Sequence, residues 1–277
     1  MQTPVAPGWA SLVVSVDGAV VVGAAVVGLV AAGRRQRARG AANRGGLAAA
    51  ALVGWLAIVL ALGSAQVFQS RSQGIPWIAL GVGAPIVVGF VAFFLSPQVR
   101  RIVDSIPPAW LLAVHLPRLV GATFLVLLAE HRLPAVFARP AGWGDVLIGV
   151  AALPVAAAYL TGRSWSRTLA VAFNVLGLAD FVVAVGTGFL ASPSPFRLFF
   201  SQPSASLMTV LPLVLIPAFL VPFWTLVHAA SLRALLVAGR VPERSAAPRA
   251  RPRVSRRLEG RLGGGLRTDP RTIPTSR

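Results

Sequence analysis

Cysteine and lysine are both missing from this 277-residue chain. The first absence excludes disulfides, thiolate nucleophiles and Cys-ligated zinc or iron–sulfur centres. The second excludes a lysine Schiff base, and with it a retinal chromophore. All 26 basic residues are therefore arginine, and an Arg, Ala, Val and Gly excess without lysine matches what a GC-rich bacterial genome encodes. Charge is scarce overall, at 12% of residues against roughly 25% in a soluble domain. Acidic residues number only eight. No CxxCH, Walker-type, HExxH or GxSxG pattern occurs, so no catalytic or nucleotide-binding signature argues for an enzyme, and no cofactor is expected.

Apolar sequence fills the space that charge leaves. Hydrophobic residues make up 56% of the chain, and they fall into seven runs of about the twenty residues a helix needs to cross ~30 Å of hydrocarbon. The runs read as Trp9 to Ala32, Leu47 to Val67, Pro76 to Leu95, Trp110 to Leu128, Trp143 to Thr161, Leu169 to Phe189 and Met208 to His228. The expected fold is an all-α polytopic bundle of seven transmembrane spans in residues 1–230. Residues 231–277 follow as an Arg-rich tail. From Arg240 onward that tail is too poor in large apolar residues to fold alone, and it is expected to be disordered. No connection between spans is long enough for a soluble domain of the usual ~50 residues or more, so any chemistry belongs to the bundle itself. Internal repeats are not evident.

Arginine placement sets an expected orientation. With the N-terminus outside and the C-terminus cytoplasmic, 21 of the 25 loop and tail arginines lie on the cytoplasmic side, the bias that short loops follow in a bacterial inner (plasma) membrane. Arg34 and Arg35 follow the first span instead of preceding it, and no cleavage site stands there, so that span is expected to be retained. Trp9, Trp77, Trp110, Trp143, Trp165 and Trp224 fall near expected span ends as an aromatic belt, with Trp55 deeper. The basic tail suits anionic lipid headgroups, at about 1 kcal/mol per residue near the surface, and carries no sign of specific nucleic-acid recognition.

The costly residues are the polar ones inside the runs. Arg118 falls about 12 Å from the cytoplasmic end of the fourth span, His115 precedes it by three residues on the same face, and Pro117 between them is expected to kink the helix. In the sixth span Asp180 lies roughly 17 Å deep, with Asn174 on the same helix, while Asp17 in the first span comes to about 12 Å from the outer face. Arg118 is expected to pair with Asp180, with Asp17 as the competing carboxylate. Such a pair either holds helices together, with Asn174 adding a hydrogen bond, or lines a solute or proton path.

Three other groups stand out. Glu130, His131 and Asp145 suggest an outer vestibule, although a helix cap at Asp145 and a water boundary at Glu130 and His131 explain them as well; they fit no standard metal-ligand pattern. Pro212, Pro217 and Pro222 mark the seventh span as bent or broken, a hinge of the kind transporters use and ordinary kinked helices also show. His115 and His228 are candidates for haem axial ligands, but His228 is expected near the cytoplasmic end of its span and not level with His115.

The segments HLPRLVG, LPAVFARPAGWGD and LIPAFLVP resemble those of a group of uncharacterised multi-spanning bacterial membrane proteins. The resemblance implies the membrane fold and carries no activity. Three functions stay open at this point: a small-solute or proton-coupled permease or channel-like protein, a non-catalytic membrane protein that assembles with a partner or with its own copies, and a haem- or metal-binding redox or sensory protein.

Overall fold

A computed structural model describes residues 4–38, 44–69 and 76–238. The described residues contain helix and no strand. They form α1 (Gly8–Ala38), α2 (Gly45–Ser64), α3 (Trp77–Leu95), the short α4 (Pro97–Val103), α5 (Pro108–Ala113), α6 (Ala122–Ala129), α7 (Ala135–Leu160), α8 (Ser164–Ala191) and α9 (Val221–Ala238). Seven stretches are long and apolar enough to cross a membrane: α1, α2, α3, Pro108–Ala129, α7, α8 and Ile216–Leu236. Large apolar side chains such as Val87, Phe94, Leu147 and Val182 stand outward, mostly exposed. In water such a surface is unfavourable, whereas facing lipid it costs nothing.

Two spans are broken, both at proline. Pro117 has no N–H to donate, and the fourth span passes from α5 through a 3₁₀ stretch, Leu116–Gly121, before resuming as α6. The seventh span starts later than hydropathy suggests. A short 3₁₀ turn at Ala205–Thr209 is followed by turns, then by a π turn at Ile216–Leu220 that leads into α9. Pro212 thus precedes the span, Pro217 lies in the π turn, and Pro222 is the second residue of α9, just past that turn. The expected bounds Met208 to His228 move about eight residues toward the C-terminus. Helix α9 also runs on past the expected domain boundary at 230 to Ala238. The Arg-rich tail beyond it lies outside the described residues.

The fourth and seventh spans occupy the middle, with over half of each buried, while α2 and α3 bury less than a fifth. Helix α7 packs along α8 and along the whole broken fourth span, α9 lies against α8 and α3, and α1 pairs with α2. At one end Trp9 Nε1 donates to Glu130 Oε1 (2.9 Å), and Arg132 Nη1 reaches the Val5 carbonyl (3.4 Å). At the other, arginine-rich end, Arg35 donates to the Ser105 carbonyl (3.2 Å), and Arg233 grips Asp104 through two bonds of 3.0 Å. Both partners of the second grip are about a third exposed, so Asp104→Ala is expected to lower stability by under about 1 kcal/mol, read as a small shift in melting temperature. Helix α7 stops at Gly162, whose φ of +67° is the left-handed turn that glycine adopts without strain.

The tryptophan belt is less regular than expected. Trp143 lies eight residues inside α7, and Trp224 is fully buried at the centre. Trp55 packs on Phe219, with ring centroids 4.6 Å apart.

Candidate functional site: a buried arginine below an apolar cavity

Arg118 is fully buried, and each nitrogen of its guanidinium makes a hydrogen bond. The 3₁₀ stretch that Pro117 starts carries it into the space between α7, α8 and α9. Its Nε donates to Asp145 Oδ1 at 2.8 Å, its Nη2 to Asp180 Oδ2 at 2.5 Å, and its Nη1 to His228 Nε2 at 3.0 Å. The flat face of the guanidinium lies 4.0 Å from the centre of the Phe181 ring, a cation–π contact.

The chain of contacts continues beyond His228. Asn174 Nδ2 donates to the Ala170 carbonyl (2.7 Å) and to Ser231 Oγ (3.0 Å), which leaves its Oδ1 to accept from His228 Nδ1 (2.9 Å). His228 therefore carries its hydrogen on Nδ1 and presents the Nε2 lone pair to Arg118. It is a neutral imidazole held in one tautomer from both sides. Asp145, Arg118, His228, Asn174 and Ser231 thus form one unbroken line of polar side chains.

The backbone is cut away to admit this cluster. A Cβ on Gly144 would overlap the carboxylate of Asp180, one on Gly177 would overlap His228 and come within 3.1 Å of Arg118 Nη1, and one on Gly121 would overlap Asp145. These glycines let the helices approach closely enough for short side chains to reach the guanidinium.

Above the cluster, toward the end that carries Glu130 and Trp9, lies a partly open cavity of about 430 Å³. Its wall comes from α3, α6, α7, α8, the Ala205–Thr209 turn and the start of the seventh span. Among the described residues Asp145 is the only ionisable one in its lining. The other polar members, Ser192 and Thr209, already give their hydroxyl hydrogens to the Gly188 and Ser206 carbonyls at 2.8 and 2.7 Å.

The model of the family DUF8737, a domain of unknown function, matches residues 75–236. The chain belongs to this family. No curated protein and no solved structure matches it. The DUF8737 region spans the third to seventh membrane helices and holds Arg118, Asp145, Asn174, Asp180 and His228, while Asp17 lies outside it.

Several expected placements change in this DUF8737 chain. Asp145 is not part of a vestibule with Glu130 and His131. Helix α7 begins at Ala135, so Asp145 sits about 15 Å along it and faces Arg118. Glu130 stays at the bundle end with Trp9 and Arg132, and His131 occupies a left-handed turn there, with φ of 55°. Arg118 takes Asp180, as the depths predict, and adds Asp145 rather than Asp17. The Asp17 Oδ2 is buried with no hydrogen-bond partner among the described residues, close enough to Asp145 for their charges to repel.

His115 and His228 are level after all, because the seventh span is displaced. Their ring centroids are 3.8 Å apart, closer than two imidazoles can lie with an iron between them. His228 has both nitrogens in use, and His115 gives Nδ1–H to the Leu111 carbonyl (3.0 Å). Among the described residues no group of three or more His, Asp or Glu is placed to hold a metal ion. Ser231, Phe181 and Gly177 had no signal in the sequence beyond lying on the same helices as Asn174, Asp180 and His228, and Gly121 and Gly144 none beyond lying close to Arg118 and Asp145 in the chain.

Proposed function

We propose that this DUF8737 protein is a proton-coupled permease for a small solute in a bacterial plasma membrane. In this reading the N-terminus is outside, the arginine-rich end is cytoplasmic, and the cavity opens toward the outer half of the bilayer. One observation carries it: Asp145 lines the cavity, and its carboxylate begins the line Asp145, Arg118, His228, Asn174, Ser231. A site of this build has two arrangements. With Asp145 ionised, Arg118 bridges both carboxylates. With Asp145 protonated or occupied by a solute, Arg118 keeps Asp180 and His228 alone, and the contact between α7 and the fourth span loosens. The groups that face Asp145 and bias this choice are Arg118, Asp180 and Asp17.

The sealed environment of Arg118 favours a second reading, in which the cluster is only glue between helices of an assembly protein. Glue has no use for a cavity that reaches one of its carboxylates. The two separate on a solid-supported membrane loaded with the protein in liposomes. A step to lower pH is expected to displace charge in the wild type, and Asp145→Asn to remove most of that signal. A wild-type signal no larger than that of empty liposomes would leave the glue reading standing instead.

A further inference from the structure

The cavity specifies its occupant by what it lacks. Ile78, Val82, Phe124, Phe137, Phe189 and Met208 give it an apolar wall, and the hydroxyls of Ser192 and Thr209 already give their hydrogens to backbone carbonyls, which leaves them able only to accept. A sugar or a zwitterionic amino acid would leave hydroxyls or a carboxylate buried without partners, at a cost of several kcal/mol on transfer scales. An anion finds no cationic side chain among the described lining residues, since Arg118 is fully buried and held by Asp145, Asp180 and His228. Among the described lining residues the group that carries charge is the Asp145 carboxylate.

The charge count points the same way. Arg118 is one positive charge set between two carboxylates, with Asp17 as a third beside Asp145, and His228 is held neutral by its two bonds. With its carboxylates ionised the cluster carries more negative than positive charge, and Asp145 is the carboxylate among them that lines the cavity. Phe124 and Phe137 line the cavity with ring centroids 5.3 Å apart, and aromatic faces attract cations. The volume is that of a small-molecule site.

We infer that the cavity binds a small lipophilic organic cation, a protonated or quaternary amine, with its charged nitrogen against Asp145 and its apolar body among the phenylalanines. This rests on the permease reading for its purpose, though not for its binding. Proton and amine are then alternative occupants of one carboxylate.

The test is equilibrium binding to the full-length protein in lipid nanodiscs, with protein-free discs subtracted. The probes are benzyltrimethylammonium and neopentylbenzene, which share a shape and differ by one charge. The cation is expected to bind at least about tenfold tighter, and Asp145→Asn to erase that preference while neopentylbenzene still binds. Val82→Phe, which fills the cavity without touching the charge cluster, is expected to lose both probes. The inference is overturned if the neutral probe binds equally well in the wild type, if neither binds, or if Val82→Phe keeps both. Equal binding would mark the cavity as a plain lipid-chain pocket. A charge preference without any pH-driven charge displacement removes the permease and keeps the site. Displacement without preference removes the cation and keeps the permease.

Discussion

Arg118→Ala is expected to abolish most recovery of folded protein from the membrane, and to lower the melting temperature of what remains further than any other single change in the bundle. The substitution leaves Asp145 and Asp180 facing each other in a buried site, with the lone pair of His228 Nε2 unpartnered as well. Removing one partner of a buried ion pair costs about 3 to 5 kcal/mol, a large part of a total stability of about 5 to 15 kcal/mol. The rescue pattern is the sharper measurement. Arg118→Ala with Asp180→Ala is expected to melt higher than Arg118→Ala alone, and adding Asp145→Asn should recover more again. Losses that simply add would contradict the shared guanidinium.

Gly144→Ala and Gly177→Ala are expected to be the most damaging additions of a single methyl group. At each site the new Cβ meets a member of the cluster that cannot retreat: the Asp180 carboxylate is held by Arg118, and His228 is clamped between Asn174 and Arg118. Overpacking of this kind costs about 1 to 3 kcal/mol, and here it also breaks the charge contacts. Gly54→Ala on α2 is the control, since nothing lies within 4 Å of its added carbon; alanine should even favour that helix by up to about 1 kcal/mol. Melting curves of the three variants in one detergent decide the matter. Equal shifts would show that the glycines do not set the spacing.

The seven spans were legible because hydropathy reports directly on what faces lipid, and Arg118 because a lone charge within such a run has to be buried. Asp145 was not. Pro140, Gly142 and Gly144 precede it within six residues and look like a loop, yet α7 runs straight through them. Gly142 meets Leu125, and Gly144 meets Asp180. These glycines serve close helix contact and not a turn, a distinction that depends on a neighbouring helix and is invisible in one chain segment. The seventh span misled for the opposite reason. Met208 to Leu215 is as apolar as a helix but is wound into turns, and apolarity alone says nothing about backbone continuity. The error shifted His228 by about two helical turns and hid its contact with Arg118.

Trp224, His228, Ser231 and Leu235 are each fully buried, four residues along one edge of α9. What aims that edge is the π turn at Ile216–Leu220, which holds one residue more than an α turn needs. It sets the angular phase of everything after it. Deleting a single residue there and restoring plain α winding would rotate α9 by about 100°, swinging His228 off Arg118 and Ser231 off Asn174 while every side chain in the site stayed chemically intact. A loose turn among prolines thereby acts as the alignment pin of a cluster that begins more than one helical turn further along the chain.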